Sequence, residues 1–243
     1  MNKRNNPNVK ALQQSNRGMY YTIAALIGVA VLVLGAVVFF SQRNTEASAI
    51  EFGSTVDPAV EVNDAGAIIL GEDAAPTVQI WEDYMCPACG QFEATQGEAI
   101  ADAVQNGELQ VEYHLLNFMD GNSASGEYST RSIAATQCVA ANEDLDTFFS
   151  IKSALFANQP GEGRPDVSAD EMAEIAASAG GTDSVDCIAN VERTDGMDKA
   201  EQTADNSMTS IREVRDGVST PTVAYEGEEL DFQDPNWLAE VTA

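Results

Sequence analysis

The sequence predicts an α/β domain with an all-helical insertion, and three observations lead to that expectation. Thr77-Val78-Gln79-Ile80-Trp81 is a β-rich run introduced by Pro76, and a helical pattern opens just after it at Cys86-Pro87-Ala88-Cys89. The middle of the chain keeps helical spacing almost throughout. Strand character returns only near the end, at Pro221-Thr222-Val223-Ala224-Tyr225. Strand, helix and strand, then a helical block, then a hairpin and a closing helix fit a sheet layered with helices.

The N-terminal part reads as a membrane anchor. Met19 to Phe40 is an apolar stretch of 22 residues without a charge, long enough to cross a bilayer core of ~30 Å as a helix. Tyr20 and Tyr21 stand where interfacial aromatics belong. Lys3, Arg4, Lys10 and Arg17 before the stretch, against Arg43 after it, place the N-terminus in the cytoplasm. Ala47-Ser48-Ala49 offers a signal-cleavage site, but the apolar core exceeds the ~7–15 residues of a cleaved signal, which favours a retained anchor. The expected order is a cytoplasmic segment (1–18), a single-pass transmembrane helix (19–41), an extracytoplasmic linker (42–67) and the folded domain (68–243).

Beyond Arg43 the chain carries 7 basic against 39 acidic residues, a net charge of −32. Such a surface repels nucleic acid and anionic lipid heads, and its simplest role is solubility. High-salt adaptation and attraction of basic client proteins are the other readings.

Within the domain, a short strand is expected at 67–70, a strand at 77–81, a helix from the cysteine pair to about Gly107, and a strand over 110–118. Residues 129–142 form an alanine-rich amphipathic helix, and 145–158 bring Phe148, Phe149, Ile151, Leu155 and Phe156 near helical spacing. Pro160, Gly161, Gly163 and Pro165 interrupt the pattern. Ser168-Ala169-Asp170-Glu171 is a capping box for a helix that stops at Gly180-Gly181. A short helix carries Cys187, and another covers 196–215, so the insertion spans about 120–215. The final hairpin turns at Glu226-Gly227-Glu228 and continues through Phe232, before a helix over 235–241.

The chemistry lies in Cys86 and Cys89. A thiolate, not a thiol, is the nucleophile, and at a helix N-terminus unpaired N–H groups and the macrodipole favour the anion. Pro87 takes the first-turn place where a missing N–H costs nothing. Cys86 is therefore expected as the exposed nucleophile, with Cys89, one turn deeper, as the resolving thiol. A lone Cys-x-x-Cys also fits a structural disulfide or half a metal site. The spacing does not suit zinc, because Cys138 and Cys187 are isolated and His114 is the sole histidine.

Gly71-Glu72-Asp73-Ala74-Ala75-Pro76-Thr77-Val78, followed by Trp81-Glu82-Asp83-Tyr84-Met85-Cys86-Pro87-Ala88-Cys89, resembles the opening of the DsbA-like thiol–disulfide oxidoreductases of the thioredoxin superfamily. Gly217-Val218-Ser219-Thr220-Pro221-Thr222-Val223 is similar to that family's second signature. The resemblance covers roughly residues 68–243 and implies a thioredoxin-like fold with an all-helical insertion. It further implies a cis Thr220-Pro221 bond facing Cys86, with the backbone before it pairing to client chains. Cys138 and Cys187 are expected to form a structural disulfide, because buried thiols outside the cytoplasm oxidise where geometry permits. Such a bond resembles a feature of some actinobacterial members; a second redox shuttle is the other reading.

Two departures qualify it. Ala88 stands where strong oxidants carry histidine, so a less depressed Cys86 pKa and a less oxidising couple are expected. Ile80 stands where relatives often bury an acid. Glu82 and Asp83 are candidates to carry protons to and from Cys89, although acids at a strand end are commonly just solvated. His114 reads as a packed or edge residue, Phe92 as core, and Trp81 and Tyr84 as either core or client groove.

The function these readings imply is donation of disulfides to exported client proteins by a monomer without cofactor or metal. A quinone-linked membrane oxidase would reoxidise it. The alternatives are a membrane-tethered reductase or isomerase, and a thiol metallochaperone.

Overall fold

The computed structural model describes residues 60–243; the expected anchor, the segment before it and most of the linker lie outside the described residues. Six strands, β1 (Val60–Val62), β2 (Ile68–Leu70), β3 (Thr77–Glu82), β4 (Gln110–Leu115), β5 (Thr222–Tyr225) and β6 (Glu228–Glu229), form one sheet in the order β1-β2-β4-β3-β5-β6. Only β3 and β4 run parallel, joined by helix α1 (Pro87–Gln105), as a parallel pair requires a crossover. Val78 and Ile80 of central β3 are fully buried, as are Ile100 and Val104 on α1. Gly107, at φ 70°, closes α1 in a conformation other residues resist.

The insertion comprises α2 (Tyr128–Asn142), α3 (Leu145–Ala157), α4 (Ala169–Ser178), α5 (Val185–Ala189) and α6 (Gly196–Val214), with short 3₁₀ turns at Asp120–Asn122 and Val191–Arg193. The five expected apolar residues of α3 are all buried. The capping box at the start of α4 is formed by both of its hydrogen bonds. Helix α7 (Trp237–Val241) closes the chain and packs Trp237 into the core.

Three expectations are corrected. Strand β1 lies inside the stretch read as linker; three residues are too few for a periodicity signal, and its place is set by pairing with β2. Strand β4 ends at Leu115 rather than continuing to Phe118, because β3, its parallel partner, also ends there. Strand β6 is only two residues long. The hairpin turns at Glu226-Gly227, both at positive φ, but Asp231 then bends the chain by accepting from the Gln233 N–H. That bend carries Phe232 onto the edge of Phe92 instead of along the sheet.

Candidate active site

Register brings the two signature loops together. Trp81 lies opposite Thr222 in the antiparallel β3–β5 pair, so the residues before β5 sit beside the C-terminal end of β3, where the chain turns into α1. The Thr220-Pro221 bond is cis, and Cys86 Sγ lies 3.4 Å from the Thr220 carbonyl oxygen, to which the protonated thiol donates. Cys86 is the N-cap of α1, with Pro87 in the first turn. Both cysteines are free thiols. Cys86 is less open than expected, at 8% exposure, because the cis-proline loop covers it; Cys89 is fully buried.

The two thiols are driven apart electrostatically. Cys86 is pulled down to about 5, chiefly by a hydrogen bond from the Cys89 thiol, then by Thr220 and the N–H groups of Cys89 and Ala88. Burial opposes this shift without cancelling it. Cys89 is pushed well above the ordinary thiol range by burial, by its bond to Cys86 and by the nearby charge of Glu82. Donors on the helix backbone and on Cys89 stabilise the Cys86 thiolate without a histidine, and a value of about 5 still stands above the ~3.5 of a strong oxidant of this type. The buried Thr220 hydroxyl has no other partner and favours the thiolate form of both sulfurs.

Glu82 and Asp83 are not solvated; both are completely buried. Asp83 is a structural hub. Its Oδ1 accepts from the Met85 N–H at 2.8 Å and the Ser129 hydroxyl at 2.6 Å, and its Oδ2 accepts from the Met119 N–H at 3.0 Å. Burial still raises it to about 6 against those bonds. Glu82 belongs to a buried charge cluster that the sequence did not announce. Lys152 Nζ of α3 stands 2.9 Å from Glu82 and 2.5 Å from Glu93 of α1, beneath the rings of Tyr113 and Phe156. Burial raises Glu82 to about 7 against the charge and the hydrogen bond of Lys152. Burial would lower Lys152, but the two glutamates override it and keep it charged. Glu82 and Glu93 together supply the buried acid that Ile80 lacks.

Residues read as packing are placed accordingly. His114 stacks on Trp81, with ring centroids 4.7 Å apart, and Trp81 donates to Ser210. Tyr84 stacks on Phe156 and is buried with Thr136 as its hydroxyl partner. Neither Trp81 nor Tyr84 lines an open groove. Cys138 of α2 is bonded to Cys187 of α5.

The family model described as Thioredoxin matches residues 63–241 of this chain. The chain belongs to the thioredoxin family. Among solved structures, this family member superposes on MdbA, a thiol-disulfide oxidoreductase of Corynebacterium matruchotii, with a TM-score of 0.68 at 22% identity. That match covers 83% of this chain and 98% of MdbA. It also resembles oxidised DsbA of Mycobacterium tuberculosis, with a TM-score of 0.58 and 26% identity over 77% of this chain and 93% of the other. A stretch of 180 residues is 36% identical to the serine/threonine-protein kinase PknE of Mycobacterium tuberculosis; the match takes in 71% of this chain but only 31% of that protein. Within the thioredoxin family, the chain is similar to thiol–disulfide oxidoreductases of the DsbA type.

Proposed function

We propose that the chain is a thiol–disulfide oxidoreductase that works outside the cytoplasm, donating disulfides to exported proteins. The observation that carries this direction is the division between its thiols, with Cys86 near pKa 5 and Cys89 held protonated. Stabilising the reduced thiolate makes the corresponding disulfide a stronger oxidant. In the oxidised enzyme, a client thiolate attacks Cys86 Sγ and breaks its bond to Cys89. Cys89 leaves with the electron pair and takes a proton from Glu82, whose carboxyl near pKa 7 is ready to give or accept one at neutral pH. The client's second thiolate then attacks its own sulfur in the mixed disulfide and releases Cys86 as a thiolate. Two electrons pass to the enzyme for each client disulfide formed, and a membrane oxidase, quinone-linked in our reading, removes them. A retained N-terminal anchor would hold the domain beside both.

Ala88 favours a second reading, a tethered reductase or isomerase kept reduced by a transmembrane electron donor. The reduction potential of the Cys86–Cys89 couple separates the two. A value between ~−120 mV and about −180 mV supports donation, whereas one near the ~−270 mV of thioredoxin overturns it.

A further inference from the structure

Gln159 follows α3 at the edge of the insertion and is held there by its own N–H, which donates to the Phe156 carbonyl. Its side-chain Nε2 donates twice to the active-site loop, to the Tyr84 carbonyl at 2.7 Å and to the Cys86 carbonyl at 2.8 Å. The peptide between them is held from the other side, where the Met85 N–H donates to Asp83. Cys86 has φ −75° and ψ 117°, and ψ sets where its carbonyl points. The same carbonyl accepts from the Cys89 N–H at 3.1 Å and the Gly90 N–H at 3.2 Å. The Gln159 donor completes the set that fixes the torsion aiming the Ala88 and Cys89 N–H groups at the sulfur. Gly90 leaves room for the amide: a Cβ there would stand 2.8 Å from Gln159 Oε1.

We propose that Gln159 is a positioning residue for Cys86, its carboxamide reaching from the helical insertion to hold the cap torsion that points helix N–H groups at the sulfur. It touches no reacting atom and acts through the Tyr84 and Cys86 carbonyls. The insertion is thereby coupled to the redox loop, so that a shift of the end of α3 alters thiolate reactivity without contact between α3 and the sulfur. The proposal rests on Cys86 being the reactive thiol.

The test uses the full-length chain in detergent, reduced at the active-site pair. Thiolate absorbance is titrated with pH, and iodoacetamide alkylation is followed by mass spectrometry, in the parent, Gln159→Met and Gly90→Ala. Gln159→Met removes both donors at similar volume. Gly90→Ala displaces the amide from the opposite side while favouring the helix, so its stability need not fall in step with that of Gln159→Met. Both variants are expected to raise the Cys86 midpoint by half a unit to one unit, leaving roughly three- to tenfold less thiolate below it. Melting temperature is read alongside. Midpoints that stay with the parent in both variants overturn the proposal, as does a shift confined to Gln159→Met that tracks its melting temperature. Alkylation of the parent at a cysteine other than Cys86 would instead overturn the reading on which the proposal rests.

Discussion

At the scale of single residues, the site is a contrast between two sulfurs in one helical turn. Cys86 faces backbone donors and a neighbouring thiol; Cys89 faces burial and the charge of Glu82. Iodoacetamide trapping across pH should therefore titrate Cys86 with a midpoint near 5, and Cys89 should stay unlabelled through neutrality. A midpoint near the ordinary 9.0 would remove the electrostatic basis of the oxidase reading. Glu82 carries a second expectation. When Cys89 resolves a glutathione mixed disulfide on Cys86 it must first lose its proton, and ionised Glu82 can take it. The resolution rate should rise through about pH 7 in the parent, and Glu82→Gln should lose that rise. A profile unchanged by the substitution assigns the proton to solvent.

At the scale of elements, the insertion reaches the redox centre through α3. Lys152 stands among aromatic rings and neutralises carboxylates from β3 and α1, so one side chain ties three elements together. Replacing it by methionine leaves two buried acids without their cation, a change that costs about 3–5 kcal/mol. Urea unfolding should show that loss, and adding Glu82→Gln and Glu93→Gln should restore most of it. The Cys138–Cys187 bond links α2 to α5 across a sequence separation of 49 residues. On the chain-entropy account, replacing both cysteines by serine should lower stability by ~4 kcal/mol. Because that bond joins α2 to α5 and not α3, from whose end Gln159 reaches the loop, the Cys86 titration should not move.

At the scale of the whole molecule, the pKa shifts predict how redox state and stability are linked. The folded pKa of Cys86, about 5, lies below its ordinary 9.0, so the thiolate favours the folded reduced protein. That contribution is complete above about pH 9 and is lost as pH falls through about 5. The oxidised protein has no such group. Glu82 and Asp83 act in the opposite sense: their raised values favour folding at low pH, and that stability is lost as pH rises through about 7 and 6. They are present in both redox states and largely cancel in the comparison. The melting temperature of the reduced form, relative to the oxidised form, should therefore fall steadily between about pH 9 and pH 5. A difference independent of pH would contradict the thiolate assignment.

The strand–helix–strand opening, the capping box, the buried face of α3 and the two loops bearing Cys86 and Pro221 are all legible in the sequence, because each is a local pattern of spacing, turn chemistry or motif. Strand β1 and the early end of β6 are not, since a three-residue strand and an Asx bend are decided by partners rather than by periodicity. The charge cluster is the clearest case. Lys152 reads as an ordinary polar residue between Ile151 and Ser153, and Glu93 as a helix-surface acid beside Phe92. Only packing places α3 against α1 at the end of β3, and only the resulting burial moves Glu82 into the neutral range. The sequence by itself determined where the sulfur pair lies and what fold holds it, because those depend on local order along the chain. The tertiary structure decided how strongly each sulfur holds its proton, because that depends on desolvation and on charges brought together from distant elements.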